Sequence, residues 1–381
     1  MLYKSLVIKI SIPPEKKTKQ KEYLEIGLLP IVDQGKEIIG GYTNEVEKNI
    51  VCNLPVIVFG DHTCSVKYIN FPFGAGADGI KILKAKDNVL PQYLFYGTQY
   101  LVFHLHDRGY ARHYQHIEKM DLYVPPIEEQ RRIVSRIEEL FSELDSAVET
   151  LQKTRQQLEI YRQAVLKEAF ENIDIRNYVK LGKIIEKPRY GTSKKCTYDA
   201  TDSSTAVYRI PNINYEKGIL DRTDLKYAEF DSNELNGIDL KENDILLIRS
   251  NGSVSLVGRT AIVNKKDVNN TFAGYLIRIR LFEPSTLKTK FLHYYLQSYQ
   301  ARYYIENTAK STSGVNNINA EEIKKLVVPN CDDEFIAPVI SNIESRLSVC
   351  AKIERTVDEA MQQAEAMRQS ILKKAFEGGF Y

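Results

Sequence analysis

Two long segments of this chain place hydrophobic residues at alternating steps of four and three. In residues 126–172 the stripe runs through Ile137, Leu140, Leu144, Leu151, Leu158 and Val165. In residues 331–381 it runs through Ile343, Ile353, Val357, Met367 and Ile371, with Arg346 as its one polar interruption. This heptad spacing predicts two spacer helices, each of about 45 residues and roughly 65–70 Å, that pack along their length.

The two helical segments belong to an internal repeat. Leu-Tyr-Val-Pro at residues 122–125 matches Leu-Val-Val-Pro at 326–329, and the helix exits at 162–171 and 368–377 match at an offset of 206 residues. Since each copy follows its own globular block, we expect a pseudo-two-fold arrangement in which the helices form an antiparallel coiled coil. A homodimeric coiled coil, in which each helix pairs with a second copy of the chain, is the alternative.

The globular blocks, residues 1–125 and 173–330, alternate short apolar runs with polar loops. Strands are predicted at 55–59 and 79–83 in the first block and at 244–249 and 275–281 in the second. Each block is therefore predicted to be an α+β domain with a curved, mainly antiparallel sheet. The second block opens with Leu-Gly-Lys-Ile-Ile at 181–185, for which the first block shows no clear counterpart.

Charge and cysteine content restrict the function classes. The net charge is +2, but the second block carries 24 basic against 18 acidic residues, while residues 126–172 carry 7 against 10. This asymmetry is typical of a protein in which one part meets phosphate and another meets protein. The five cysteines form no CxxC pair and no apolar stretch of about 18 residues occurs, so we expect reduced thiols, a cytoplasmic location and no membrane span.

Several motifs follow one another in a fixed order along the chain. They are Leu-Pro-Ile-Val-Asp-Gln-Gly at 29–35, Glu-Glu-Gln-Arg-Arg-Ile-Val at 128–134, Tyr-Gly-Thr-Ser-Lys-Lys at 190–195, Tyr-Arg-Ile-Pro-Asn-Ile at 208–213 and the helix exit Leu-Lys-(Glu/Lys)-Ala-Phe-Glu. Their order, together with the half-chain repeat, resembles the specificity subunit of a type I restriction–modification system. The resemblance covers essentially the whole chain.

This resemblance implies two target-recognition domains, each of which reads one half of a split sequence in double-stranded DNA. It implies that the helices separate the half-sites and dock two modification (methyltransferase) subunits and two restriction subunits. The chemistry, with S-adenosylmethionine, ATP and Mg²⁺, then belongs to those partners. By the same resemblance this chain binds no cofactor and is not itself an enzyme.

Sequence readout needs hydrogen-bonding groups at base edges, and positioning needs cations and hydroxyls at phosphates. In the second domain, polar and basic loops supply the candidates Arg189, Tyr190, Thr192, Ser193, Lys194, Lys195, Arg209, Asn212, Arg249, Asn251, Ser253, Lys310, Ser311, Thr312 and Ser313. In the first domain the candidates are Asp61, His62, Thr63, Arg108, Tyr110 and Arg112. Each loop also has a structural interpretation, as a solvated loop, an Asn-Gly hairpin turn or a helix cap.

Two other functions fit part of the pattern. Phe-Gly-Ala-Gly at 73–76 imitates the glycine loop with which methyltransferases hold their cofactor, so a stand-alone DNA methyltransferase is one alternative. The Asn/Asp-Pro-Pro-aromatic tetrapeptide of adenine methyltransferases and the GxxxxGK[ST] phosphate loop are both absent from the sequence. A coiled-coil scaffold without DNA binding is the other alternative. His104 and His106 are predicted to alternate on a strand, and with His113 and His116 they have poor spacing for a zinc site.

Overall fold

The computed structural model describes residues 1–50, 52–76, 79–105, 112–312 and 314–380, without the side chains of 310–312. The chain divides into two compact units, Met1–Lys153 with Val357–Tyr381, and Thr154–Thr356. Each unit therefore contains one globular domain and a part of each long helix. Among the described helices, none combines the length and apolar composition that a bilayer span requires.

The first unit contains eight strands and two short helices within its described residues, followed by the first long helix, which continues into the second unit. The elements are β1 (Val7–Ile10), β2 (Lys17–Thr18), β3 (Leu29–Val32), β4 (Gly41–Thr43), β5 (Val56–Gly60), β6 (Val66–Ile69), β7 (Gly74–Gly76), β8 (Ile80–Ala85), α1 (Pro91–Phe103), α2 (Tyr114–Ile117) and α3 (Ile127–Glu171). Two four-stranded sheets result, with the orders β1-β8-β5-β6 and β2-β7-β3-β4.

The second unit is richer in short strands and ends in the second long helix, which returns to the first unit. Its elements are β9 (Tyr178–Lys180), β10 (Arg189–Tyr190), β11 (Ser204–Tyr208), β12 (Ile213–Asn214), β13 (Ile219–Leu220), β14 (Lys226–Glu229), α4 (Ser232–Leu235), β15 (Ile245–Ile248), β16 (Ser250–Asn251), β17 (Thr260–Ile262), β18 (Thr271–Phe272), β19 (Leu276–Ile279), α5 (Thr286–Gln297), α6 (Tyr299–Thr308), β20 (Lys310–Thr312), β21 (Val315–Asn317), α7 (Ala320–Lys325), β22 (Val327–Pro329) and α8 (Asp333–Phe376). Its largest sheet has the order β10-β19-β15-β17-β13-β12.

The two domains share part of their strand topology, although the main sheet has four strands in the first and six in the second. In each, a fully buried apolar strand, β5 or β15, pairs antiparallel with a neighbour on both sides. A second sheet in each contains a parallel pair, β3 with β7 and β11 with β18, and in the first domain β2 also pairs in parallel with β7. The predicted α+β class with a mainly antiparallel arrangement is confirmed, and so are the strands predicted at 55–59, 79–83, 244–249 and 275–281, to within two residues at their ends.

The opening of the second domain has a structural counterpart in the first, contrary to the expectation from sequence. A 3-10 turn at Leu181–Lys183 follows β9, which pairs with β22, and the N–H of Leu181 donates to the carbonyl of Leu326. A 3-10 turn at Tyr3–Ser5 follows the bridge between Leu2 and Asp121, and the N–H of Tyr3 donates to the carbonyl of Met120. Sequence comparison missed this match because backbone pairing, not side-chain identity, defines it.

In both units the two long helices pair antiparallel. In the first unit Asp145 of α3 forms an ion pair with Arg368 of α8. In the second unit Arg162 lies 2.5 Å from Glu354, and Arg346 lies 2.7 Å from Glu168, so partners later in α3 are earlier in α8. The antiparallel pairing is confirmed, and the helices find their partners within one chain.

The residues that pack between the two long helices differ from the predicted stripe at two positions of α8. Several predicted residues are buried, namely Ile137, Leu144, Leu158, Val165, Ile343 and Val357, while Leu140, Leu151 and Ile371 are half-buried. Ile353 and Met367 do not pack as predicted, because they are 40% and 54% exposed. Glu354 and Arg368 take the contact instead and form the ion pairs across the helices. A step of three and a step of four reach the same helix face, so the apolar pattern could not choose between neighbours.

The repeated helix exit anchors each globular domain. The ring centroid of Phe376, at the end of α8, lies 4.9 Å from that of Tyr93 in α1. The ring centroid of Phe170, at the end of α3, lies 5.3 Å from that of Phe291 in α5. Both phenylalanines are buried, at 4% and 1% exposure, so each helix exit completes a domain core. This packing explains why the Ala-Phe-Glu motif occurs at the end of both long helices.

Candidate nucleic-acid interface

The base of the basic loop of the second domain, residues 189–195, is fixed by a close contact between two backbone segments. A Cβ at Gly191 would lie 2.0 Å from the carbonyl oxygen of Phe272, so only glycine fits there. The N–H of Thr192 donates to that same carbonyl, at 2.8 Å. Beyond this root Ser193, Lys194 and Lys195 are exposed, and Lys194 lies 2.8 Å from Glu234. The loop therefore projects cations and hydroxyls from a fixed base.

Arg249, directly after the central strand β15, is held in one orientation. Its guanidinium carbon lies 4.5 Å from the ring centroid of Tyr190, and its Nε donates to Oδ1 of Asn317 at 3.2 Å. The hydroxyl of Tyr190 in turn accepts the N–H of Ala320 at 2.9 Å. Stacking on an aromatic ring leaves the outer edge of a guanidinium available for a bidentate contact.

Three loops predicted separately come together around this arginine. The sheet β16-β21-β20 pairs Asn251 with Asn316 and carries the hairpin that begins at Lys310. The side-chain nitrogen of Asn316 donates to the carbonyl of Gly252 at 2.9 Å, and Oδ1 of Asn251 accepts the N–H of Ser253. The residues Tyr190, Arg249, Asn251, Asn316 and Asn317 are called here the Arg249 patch.

Some candidate residues of the second domain lie away from the Arg249 patch, and others lie outside the described residues. The Asn212 side chain is 1% exposed and donates to the carbonyls of Asp221 and Asp224. Arg209 lies 2.8 Å from the carboxylate of Asp224. This cluster holds a loop of the domain together, a role that sequence had not assigned to it. The side chains of Lys310, Ser311 and Thr312, and all of Ser313, lie outside the described residues.

In the first domain Asp61 serves the fold. It is 4% exposed, its Oδ1 accepts the N–H of Tyr114 at 2.9 Å, and its Oδ2 lies 3.5 Å from the ammonium of Lys81. Thr63 donates its hydroxyl hydrogen to the carbonyl of Gln34 at 2.5 Å. His62 is half-buried and Arg112 is exposed, while Arg108 and Tyr110 lie outside the described residues.

The sequence missed three lysines of the first domain. Lys9, Lys17 and Lys81 line a groove of about 290 Å³ beside β1 and β8. Lys9 and Lys81 each stand between two apolar residues of a short strand, and this alternation was the available signal, since neighbouring residues of a strand point to opposite faces.

The features that suggested other chemistry have structural roles. Phe73 is buried and Gly74–Gly76 form the buried strand β7, so this glycine segment is no open cofactor loop. His104 ends helix α1, contrary to the predicted strand, because the apolar run before it is helical. His106 lies outside the described residues. Among the described residues no group of His, Cys, Asp and Glu could hold a metal ion.

Together these observations define a class of protein, in which two α+β domains of related topology each pack on an antiparallel pair of long helices. No protein-family profile matches the chain. It is 27% identical over 278 residues to the type I restriction enzyme EcoKI specificity subunit of Escherichia coli K12, a match that spans 68% of this chain and 57% of that protein. It is also 27% identical over 272 residues to the StySPI specificity subunit of Salmonella potsdam, with the same coverage.

A solved structure agrees in fold over nearly the whole length. A chain from a structure of the type I R-M system, solved for its complex assembly and conformational transition, superposes with a TM-score of 0.68. Its sequence identity is 15%, and the match covers 99% of this chain and 96% of that one. The chain is thus similar in sequence to type I restriction enzyme specificity subunits and has the fold of this solved type I R-M chain.

Proposed function

We propose that this protein is the DNA sequence-recognition subunit of a type I restriction–modification complex. Each domain reads one half of a bipartite target in double-stranded DNA, and the paired helices set the separation of the halves. Two modification subunits and two restriction subunits dock on the chain. Those partners bind S-adenosylmethionine, ATP and Mg²⁺, and the chain itself is not catalytic.

The Arg249 patch is the observation that supports this proposal most directly. A guanidinium presents paired donors that match O6 and N7 of guanine, and an asparagine amide matches the edge of adenine. Tyr190 and Asn317 hold the guanidinium before any ligand arrives, which reduces the ordering cost of a base contact. The adjoining Ser193, Lys194 and Lys195 suit phosphates of the same duplex.

The alternatives predict different behaviour of the purified chain. A stand-alone methyltransferase would bind S-adenosylmethionine, and a protein-only scaffold would show no salt-dependent binding to a duplex. The proposed subunit selects a split motif from a random duplex library, and the logarithm of its binding constant falls linearly with the logarithm of salt concentration. Binding of S-adenosylmethionine by the chain alone, or the absence of any selected motif, would contradict the proposal.

Arg249→Ala is expected to relax base preference in one half-site and to leave the other unchanged. Loss of a bidentate arginine contact should cost about 1–3 kcal/mol of discrimination against the wrong base. The measurement is the base preference at each position after selection from the random library. Arg176→Ala is the matched control, because Arg176 is an exposed arginine of the same unit that pairs with Asp174. An equal loss on all sequences would show that Arg249 contacts a phosphate.

Lengthening both helices by one turn should change the spacer between half-sites while the half-site bases stay the same. Four added residues extend a helix by about 6 Å, close to two base-pair steps. The insertions belong between Leu144 and Leu158 and at the matching place in α8. Insertion into α3 alone is the control, because it shifts Arg162 away from Glu354 and should lower stability. Altered half-site bases in the doubly extended chain would refute a spacer role.

A further inference from the structure

The groove of the first domain is basic on its described surface. It lies beside β1 and the start of β8, encloses about 290 Å³, and its lining includes Lys9, Ser11, Lys17, Gly79 and Lys81. Three of its described lining residues are lysines and none is a carboxylate. Such a groove attracts the acceptor edges of nucleic acid.

The groove occupies the position in the first domain that the Arg249 patch occupies in the second. Asp61 follows β5 as Arg249 follows β15. The N–H of Asp61 donates to Gly79 and its carbonyl accepts from His113. The N–H of Arg249 donates to Tyr275 and its carbonyl accepts from Ile318, which is the same pattern.

The strand register extends this equivalence to the edge of the sheet. Ile10 pairs with Ile82, which pairs with Val58, three residues before Asp61. Arg189 pairs with Arg278, which pairs with Leu246, three residues before Arg249. Ser11 therefore stands where Tyr190 stands in the second domain. At the equivalent positions of the first domain, Asp61 and Ser11 stand in place of the arginine and of the aromatic ring that holds it.

A lysine restores the positive charge at this site. The carboxylate of Asp61 is engaged with the N–H of Tyr114 and lies 3.5 Å from the ammonium of Lys81. The Lys81 side chain is nevertheless 42% exposed, and it lines the groove. Lys9 is held in a similar way, because its ammonium lies 4.6 Å from the ring centroid of Tyr114 and 2.8 Å from Glu118. Carboxylates and a ring thus position these ammonium groups, as Tyr190 and Asn317 position Arg249.

We infer that Lys81, positioned by Asp61, is the base-contacting side chain of the first domain, and that Lys9 and Lys17 bind the flanking phosphates. The ligand is the acceptor edge of a guanine in duplex DNA, for which a lysine ammonium is a suitable donor. This inference rests on the proposed function. It implies that the two domains read their half-sites from one topological position with different side chains.

The test uses the full-length chain and selection from a random duplex library. Lys81→Gln should lower base preference about 10-fold at one or two positions of one half-site, and Arg249→Gln should act on the other half-site. Lys17→Gln should weaken all sequences alike and reduce the slope of log binding constant against log salt by about 0.9. Lys84→Gln is the matched control, because Lys84 lies on the same strand and alternation places it on the opposite face.

The outcomes separate this inference from the proposed function. A wild-type chain that selects no bipartite motif would contradict the proposed function itself. A bipartite motif that Lys81→Gln leaves unchanged, or that Lys81→Gln and Arg249→Gln alter in the same half-site, overturns the role of Lys81. Lys81→Arg provides a second variant that keeps the charge, and it should retain both the affinity and the preference for guanine, because arginine contacts the same acceptor edge. Circular dichroism of each variant checks that the fold persists.

Discussion

Asp244→Ala is expected to lower the free energy of unfolding of the second unit by about 3–5 kcal/mol, because it removes the buried carboxylate that pairs with Arg280, an arginine whose side chain is only 10% exposed. The Asp244 side chain is fully buried and accepts two hydrogen bonds from Arg280, at 2.6 and 2.7 Å. It also accepts the N–H of Lys241 at 2.8 Å. Arg278 is buried beside this pair, and burial lowers the pKa of its guanidinium. The substitution therefore leaves the Arg280 guanidinium and the N–H of Lys241 without the carboxylate that accepts their hydrogen bonds.

Urea titration followed by circular dichroism measures this loss. Glu283→Ala is the matched control, since it removes an exposed carboxylate that pairs with Lys288 in the same unit and should cost less than about 1 kcal/mol. A loss for Asp244→Ala as small as that of the control would show that Arg280 reaches solvent once unpaired. Asp244 directly precedes β15, the strand that Arg249 follows, so the variant should also lose sequence-specific binding.

Lowering the pH from 7 to 4 should remove roughly 3 kcal/mol of stability through His293 alone. The imidazole is 3% exposed, and burial lowers its pKa from 6.5 to about 4. The hydroxyl oxygen of Thr260 accepts a hydrogen bond from Gln297 at 2.8 Å and lies 2.9 Å from Nδ1 of His293. Burial in the folded site thus favours the neutral ring.

The direction of this pH dependence follows from the lowered pKa. Above pH 6.5 the ring is neutral in the folded and unfolded chain alike, and the full stability is present. Between 6.5 and about 4 the unfolded ring takes up a proton while the folded ring does not, so stability falls as pH falls. Carboxylates add their own dependence in this range, and the informative quantity is the difference between variant and wild type.

His293→Gln should reduce that pH dependence by roughly 3 kcal/mol, in urea titrations at pH 7 and pH 4. His104→Gln is the control, because His104 is exposed at the end of α1. An identical pH dependence in wild type and His293→Gln would mean that the buried ring is already protonated or that it reaches water. Gly218 packs against the same imidazole, because a Cβ at this position would lie only 2.7 Å from Nε2 of His293.

The proposed readout residues were harder to predict than the fold. Arg249 and Tyr190 were both found from sequence as polar or basic loop residues, but their contact depends on the pairing of β10 with β19. Asn212 looked like an available amide and is buried. Lys81 was overlooked because a single lysine in a strand resembles any solvent-facing residue. Loop sequences carry the donors and acceptors, but the fold decides which of them reach the surface together.

The sequence by itself determined the α+β domains, the half-chain repeat and the two long helices, because apolar periodicity and chain order are local properties that tertiary packing then obeys. Only the tertiary structure decided which face of each helix is packed, where Glu354 and Arg368 displace Ile353 and Met367. It alone also revealed that Asp61 and Arg249 occupy equivalent positions. These features depend on residues far apart in the chain, whose pairing is selected by burial and charge and not by local pattern.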